Sequence, residues 1–231
     1  MRCAMNTYFS INMPAWKFVR NTLVVSCAGL FPLLLLYIAL TPGFGALLLE
    51  SGPAFSRFLR QVVTNGVPVV FAVNYVSFFL FAVSTAKQRE AAMQARILLI
   101  DLPARVVIFV LLHGVIYFIS ADWFGSFGGD HWQALQVVGP TLVRSAFFEN
   151  ISGVYLYATL VSALPLYATV IDSSLERCSR RWEWLRGLVC KLPGKLGPIL
   201  LALVFFAIFT LALTGAAAVI MNLQSVWICS G

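Results

Sequence analysis

The sequence predicts an all-α integral membrane protein: a bundle of five transmembrane helices with a basic amphipathic cytoplasmic helix between spans four and five. Three observations carry this expectation. Of the 231 residues, 60% are hydrophobic and only 11% charged, against a charged share of about 25% in soluble domains. Mean hydropathy is +0.88. The apolar residues form unbroken runs, as in Leu33–Leu36 and Leu200–Phe209, whereas transmembrane β-strands alternate apolar and polar over about ten residues. The composition excludes a soluble enzyme, a disordered chain and a disulfide-built secreted domain.

A bilayer core about 30 Å thick takes roughly 20 apolar helical residues, each rising about 1.5 Å. Span one, about 22–40, lies in the charge-free run between Arg20 and Glu50. It is too long for a signal-peptide core and no small-x-small site follows, so it reads as an uncleaved anchor that ends at the Thr41-Pro42-Gly43 turn. Span two, about 66–84, falls between Arg60 and Lys87. The helix formers of Thr85–Arg96 extend it into a protruding hairpin, until Asp101-Leu102-Pro103 breaks the chain. Span three, about 102–120, is the shortest, and it requires Arg105 to snorkel to the headgroups.

The loop 121–150 opens with Asp122-Trp123-Phe124 and a glycine-rich stretch, then runs without charge over Trp132–Val143. Twelve residues are too few to span and suit an interfacial or re-entrant segment. Span four covers about 151–171, with Pro165 expected to kink it. The interfacial helix, about 174–190, has Ser173 and Glu176 at capping-box spacing. Its apolar face is Leu175, Cys178, Trp182, Leu185 and Val189, with Arg177, Arg180, Arg181 and Arg186 largely off it. Span five, about 196–221, completes a single membrane domain over 1–231.

Lys and Arg concentrate in cytoplasmic loops. An N-terminus in the cytoplasm and a C-terminus outside would place thirteen of the sixteen basic residues on the cytoplasmic side. The net charge of +7 then faces anionic lipid of the cytoplasmic leaflet, the partner expected for Arg177, Arg180, Arg181, Trp182, Trp184 and Arg186. A cytosolic protein partner is the alternative for the same face, and no nucleic-acid motif accompanies it. The five cysteines show no C-x-x-C spacing, and Asn150-Ile151-Ser152 matches a glycosylation sequon.

Polar side chains at membrane depth are costly and normally face protein or water. The candidates for packing or a pore are Asn74 in span two, His113 and Tyr117 in span three, and a line of Ser152, Tyr155, Thr159, Ser162 and Thr169 in span four. In span five Thr210 and Thr214, beside Gly215, form a close-packing face. Asp122, Asp130, His131 and Glu149 match no metal-ligand spacing, and Gly128-Gly129-Asp130 lacks the first glycine of a GxGD pattern. Every carboxylate is expected at a span end or in a loop. No catalytic, cofactor or metal site is expected.

These features fit a non-enzymatic inner-membrane subunit, a homo-oligomeric scaffold or sensor coupled to a cytosolic partner. Such subunits occur in bacterial envelope and antiviral defence systems. Two alternatives stand beside it: a homo-oligomeric pore lined by the span-four hydroxyls, and an intramembrane enzyme that depends on His113.

Overall fold

The computed structural model describes residues 9, 11–86, 91–177, 187, 192 and 196–229. Among them every regular element is a helix. Five segments are long and apolar enough to cross a bilayer: Ala15–Leu40, Gly52–Ser84, Leu99–Trp123, Ile151–Asp172 and Leu196–Leu223.

Helix α1 (Ala15–Leu40) buries Thr22, Ser26, Gly29, Leu30 and Leu34, a stripe at helical spacing. Its other faces expose apolar residues such as Val24 and Leu35, as expected where the surroundings are lipid rather than water. The chain turns at Thr41–Gly43 with Gly43 at φ 73°, a left-handed conformation that costs a Cβ-bearing residue about 1–2 kcal/mol. The first loop is itself helical, as α2 (Phe44–Glu50) and α3 (Gly52–Gln61). A π-turn over Val62–Gly66 joins α3 to α4 (Val67–Ala86), so span two begins well before residue 66.

Helix α5 (Ala91–Trp123) departs from the sequence expectation, because it runs through Asp101-Leu102-Pro103 without a break. A proline removes one backbone hydrogen bond, which a transmembrane helix tolerates where neighbouring helices enclose it. Asp101 and Arg105, flanking Pro103, are buried against such neighbours. A short 3-10 turn (Ser126–Gly129) leads to α6 (His131–Ser145). The Asp130 carboxylate caps α6 by accepting from the backbone N–H groups of Trp132 and Gln133.

Span four is two helices, α7 (Ile151–Val161) and α8 (Leu164–Arg177), separated at Ser162–Ala163 just ahead of Pro165. Helix α7 is the centre of the bundle: every residue from Gly153 to Leu160 is buried, the mark of a helix enclosed on all sides. Gly29 of α1 lets it approach closely, since a Cβ there would lie 2.9 Å from the Ala158 carbonyl oxygen. Helix α8 packs on α5 and on α9 (Leu196–Cys229), while α1 keeps to α7 and α4.

Helix α8 passes straight through Ser173–Glu176, so that pair does not open a new helix; no glycine or proline between Pro165 and Ser173 would stop the old one. Most of the expected interfacial helix over 174–190, including Arg180, Arg181, Trp182, Trp184 and Arg186, lies outside the described residues, and Arg177 is described in its backbone alone.

Candidate functional site: a buried charged network

Buried polar groups of Ser26, Asn74, Ser77, Asp101, Thr159 and Tyr167 gather around one side chain, Arg105, which is 0% exposed. Its Nε donates to Asp101 Oδ2 at 2.7 Å, one helical turn earlier. Its Nη1 donates both to Asn74 Oδ1 and, at 2.9 Å, to the Thr159 carbonyl. Asn74 completes its amide by donating to Ser26 Oγ at 2.9 Å. Asp101 accepts two further bonds, from the Ser77 hydroxyl and, at 2.6 Å, from the Tyr167 hydroxyl. The guanidinium carbon lies 4.7 Å from the Phe78 ring centroid, within cation–π range. Residues from α1, α4, α5, α7 and α8 thus meet at one ion pair.

Arg105 does not snorkel. Ser26, Asn74 and Thr159 each lie in the middle part of their own apolar segments, about 12 Å or more of helix from either end. Three helices independently place the guanidinium deep in the bundle, although Arg105 is only a few residues from the start of its own segment. The expectation that every carboxylate sits at a span end or in a loop is corrected with it: Asp101 is near one end of its segment by sequence, yet it is 7% exposed and faces protein. Lipid offers neither charge a partner, whereas the bundle offers Asp101 three donors and Arg105 three acceptors.

The break in span four helps create the site. In a continuous α-helix the Ala163 N–H would bond to the Thr159 carbonyl, but here it bonds to the Leu160 carbonyl at 3.0 Å. The Thr159 oxygen is left for Arg105. The arrangement is a neutral pair in which Nε and Nη1 of Arg105 and both carboxylate oxygens of Asp101 are engaged, while Arg105 Nη2 is buried without a hydrogen-bond partner among the described residues. The engaged groups suit fixing helices in register.

The other candidates fall in separate places. The His113 Nδ1 pairs with its own Phe109 carbonyl at 3.0 Å and its ring packs on Phe109. Half-buried Tyr117 faces Phe127 instead. The hydroxyls of Thr159, Ser162 and Thr169 donate to the Leu156, Ala158 and Pro165 carbonyls of span four itself, the local satisfaction open to Ser and Thr in helices. Ser152 is half-buried at the start of α7. Tyr155 is buried beside Gly66, where a Cβ would meet its ring. Thr210 and Thr214 line an apolar groove of about 530 Å³ together with Leu33, Phe148, Tyr157 and Phe206. Gly215 lies on an exposed face of α9, and a Cβ added there would project into open space.

In the segment 121–150, His131 Nε2 lies 3.1 Å from Asp122 Oδ1, and among the described residues no three potential ligands gather for a metal. Asn150 serves as the cap of α7, its side-chain oxygen accepting from the Gly153 N–H and its Nδ2 donating to the Thr141 carbonyl. That amide nitrogen is engaged in the fold rather than presented as a glycosylation acceptor.

Sequence reasoning found Asn74 and missed its partners. The available signal was the i, i+4 pairing of Asp101 with Arg105; Tyr167 and Ser26 carried none that separates them from ordinary span residues. Compared with known proteins, the chain matches no family model, no curated protein and no solved structure.

Proposed function

We propose that this chain is a non-enzymatic, membrane-embedded subunit that assembles with further copies of itself and couples to a cytosolic partner, in the setting of a bacterial inner membrane. The observation that supports this most is the Asp101–Arg105 network. The bundle's buried charges are turned on one another across five helices, which suits a rigid scaffold better than a site that must bind and release substrate. The peripheral helix α9 adds to this: Val204, Ile208, Leu211 and Val219 expose a continuous apolar stripe around Gly215, a surface on which another transmembrane helix can pack. We assign the N-terminus to the cytoplasm. With Arg105 withdrawn into the bundle the basic residues still divide twelve to three in favour of that side, and the arginine-rich stretch after α8 is then available to a soluble partner.

The test combines three measurements on the full chain. Light scattering in nanodiscs should give a particle of more than one copy, a C-terminal alkaline phosphatase fusion should be active, and proteoliposomes should hold an ion gradient. In-cell cross-linking should capture a cytosolic protein and lose it on the double change Trp182→Asp, Leu185→Asp. A monomer that conducts ions, or turnover of lipid or peptide abolished by His113→Ala, would overturn the proposal.

A further inference from the structure

The break at Ser162–Ala163 has a second consequence. Above it, α7 packs closely along α1, and the contact is closed by the Ser162 hydroxyl, 3.3 Å from the Val25 carbonyl oxygen. Beyond it, α8 packs chiefly on α5 and α9, and Phe9 sits against Phe18 of α1 with ring centroids 5.4 Å apart. Between α1 and α8 lies a wedge-shaped cavity of about 460 Å³, a size ordinary for small-molecule sites. Its walls are Val24, Val25, Phe78 and Leu166, with Phe9 stacked on Phe78 at a centroid distance of 4.1 Å.

The rim is different in kind. It carries Arg20 on α1 and Thr169 on α8, and Thr169 already donates to the Pro165 carbonyl. The Arg20 guanidinium lies 5.0 Å from the Trp16 ring centroid, and Lys17 Nζ lies 5.8 Å from the same ring. Among the described residues no carboxylate lies within ion-pair distance of Arg20 or Lys17; the close carboxylate contacts there are Asp101 with Arg105 and Asp122 with His131. Trp16 is 59% exposed, as an aromatic anchor at the lipid headgroup level would be.

From this geometry we infer a binding site for one anionic phospholipid: an acyl chain enters the wedge between α1 and α8, and the phosphate is held at the rim by Arg20 with Lys17 beside it. Charge and depth together select this occupant. The cavity is lined mainly by apolar side chains, which suit hydrocarbon, and Arg20 is the one charged residue among the described ones that lines it, with Lys17 beside it on the same Trp16 ring. A zwitterionic lipid brings its own cation to that rim and gains less from it. A free phosphate ion would leave the apolar wedge unfilled.

Native mass spectrometry of the full chain, released from nanodiscs of equal phosphatidylglycerol and phosphatidylcholine, tests this. Wild type should retain one phosphatidylglycerol in preference to phosphatidylcholine. Arg20→Gln, at an exposed position, should lower that preference about fivefold, the effect of one basic residue near an anionic surface, with an unchanged melting temperature. Val24→Trp should fill the wedge and lose both lipids. If Val24→Trp is unstable, competition on wild type replaces it: short-chain phosphatidylglycerol should displace the bound lipid and short-chain phosphatidylcholine should not. Equal retention of the two lipids, indifference to Arg20→Gln, displacement by inorganic phosphate alone, or a second copy of the chain in place of the lipid would each overturn the assignment.

Discussion

Removing either half of the central ion pair should damage the bundle far more than removing both. Arg105→Leu leaves the Asp101 carboxylate with only the Ser77 and Tyr167 hydroxyls, and it strips the Asn74 and Thr159 oxygens of their donor. Asp101→Leu leaves a guanidinium that is 0% exposed without a counter-charge. Breaking a buried pair in this way costs about 3–5 kcal/mol. The double change removes both charges and leaves neutral groups short of partners, at about 1–3 kcal/mol. The coupling between the two sites should therefore be at least about 3 kcal/mol, at the upper end for residues in one network. For a chain of this size a single change should lower the melting temperature on the order of 10 °C. The assay is unfolding in mixed micelles followed by circular dichroism, with the four proteins compared as a cycle. Arg105→Lys should fall between wild type and Arg105→Leu, because an ammonium lacks the planar fork that reaches Asp101, Asn74 and Thr159 together. Additive single changes, or single changes within about 0.5 kcal/mol of wild type, would refute the network and return Arg105 to the lipid surface.

Two further outcomes follow from the packing. Gly29→Leu should destabilise the monomer by more than about 1 kcal/mol, because its first carbon already crowds the Ala158 carbonyl; Gly215→Leu, on an open face, should leave melting unchanged and lower only the oligomer mass. Asn150→Ala should cost about 1 kcal/mol through loss of the α7 cap, and no glycan should be found on Asn150 in a eukaryotic secretory host.

Composition and run length were enough to read the spans, because the demand that lipid places on a helix is local: enough apolar residues in sequence. The turn at Thr41–Gly43 and the disturbance near Pro165 were legible for the same reason. What misled were residues whose meaning is set by neighbours distant in sequence. Asp101, Pro103 and Arg105 look like a loop boundary when taken alone, since charge and proline commonly end a span. They become span interior only once Asn74, Ser77, Thr159 and Tyr167 are brought beside them from other helices. The hydroxyl line of span four was visible as a pattern, but the pattern does not say that Thr159, Ser162 and Thr169 turn back onto carbonyls of their own span. The helical first loop was missed because α2 and α3 are short, and short helices take their stability from packing rather than periodicity, here Phe44 against Tyr37 and Phe58.

The order of the partners along the chain explains why a charged residue is tolerable at this depth at all. In lipid the hydrophobic effect does not draw helices together, so specific packing and polar contacts must select which ones associate. Span three alone would carry Arg105 and Asp101 with only each other. Span two brings Asn74 to the guanidinium and Ser77 to the carboxylate, so α4 and α5 together satisfy part of both groups. Ser26 of α1 orients Asn74 from behind. Span four then adds the Thr159 carbonyl and the Tyr167 hydroxyl, one from each side of the break at Ser162–Ala163. A continuous helix would occupy the Thr159 carbonyl within its own backbone and withhold it from Arg105. The break is therefore part of the same device as the ion pair: it releases the oxygen that gives Arg105 Nη1 its second acceptor, and α8 beyond it packs on α5 and α9, beside the cavity that Arg20 lines.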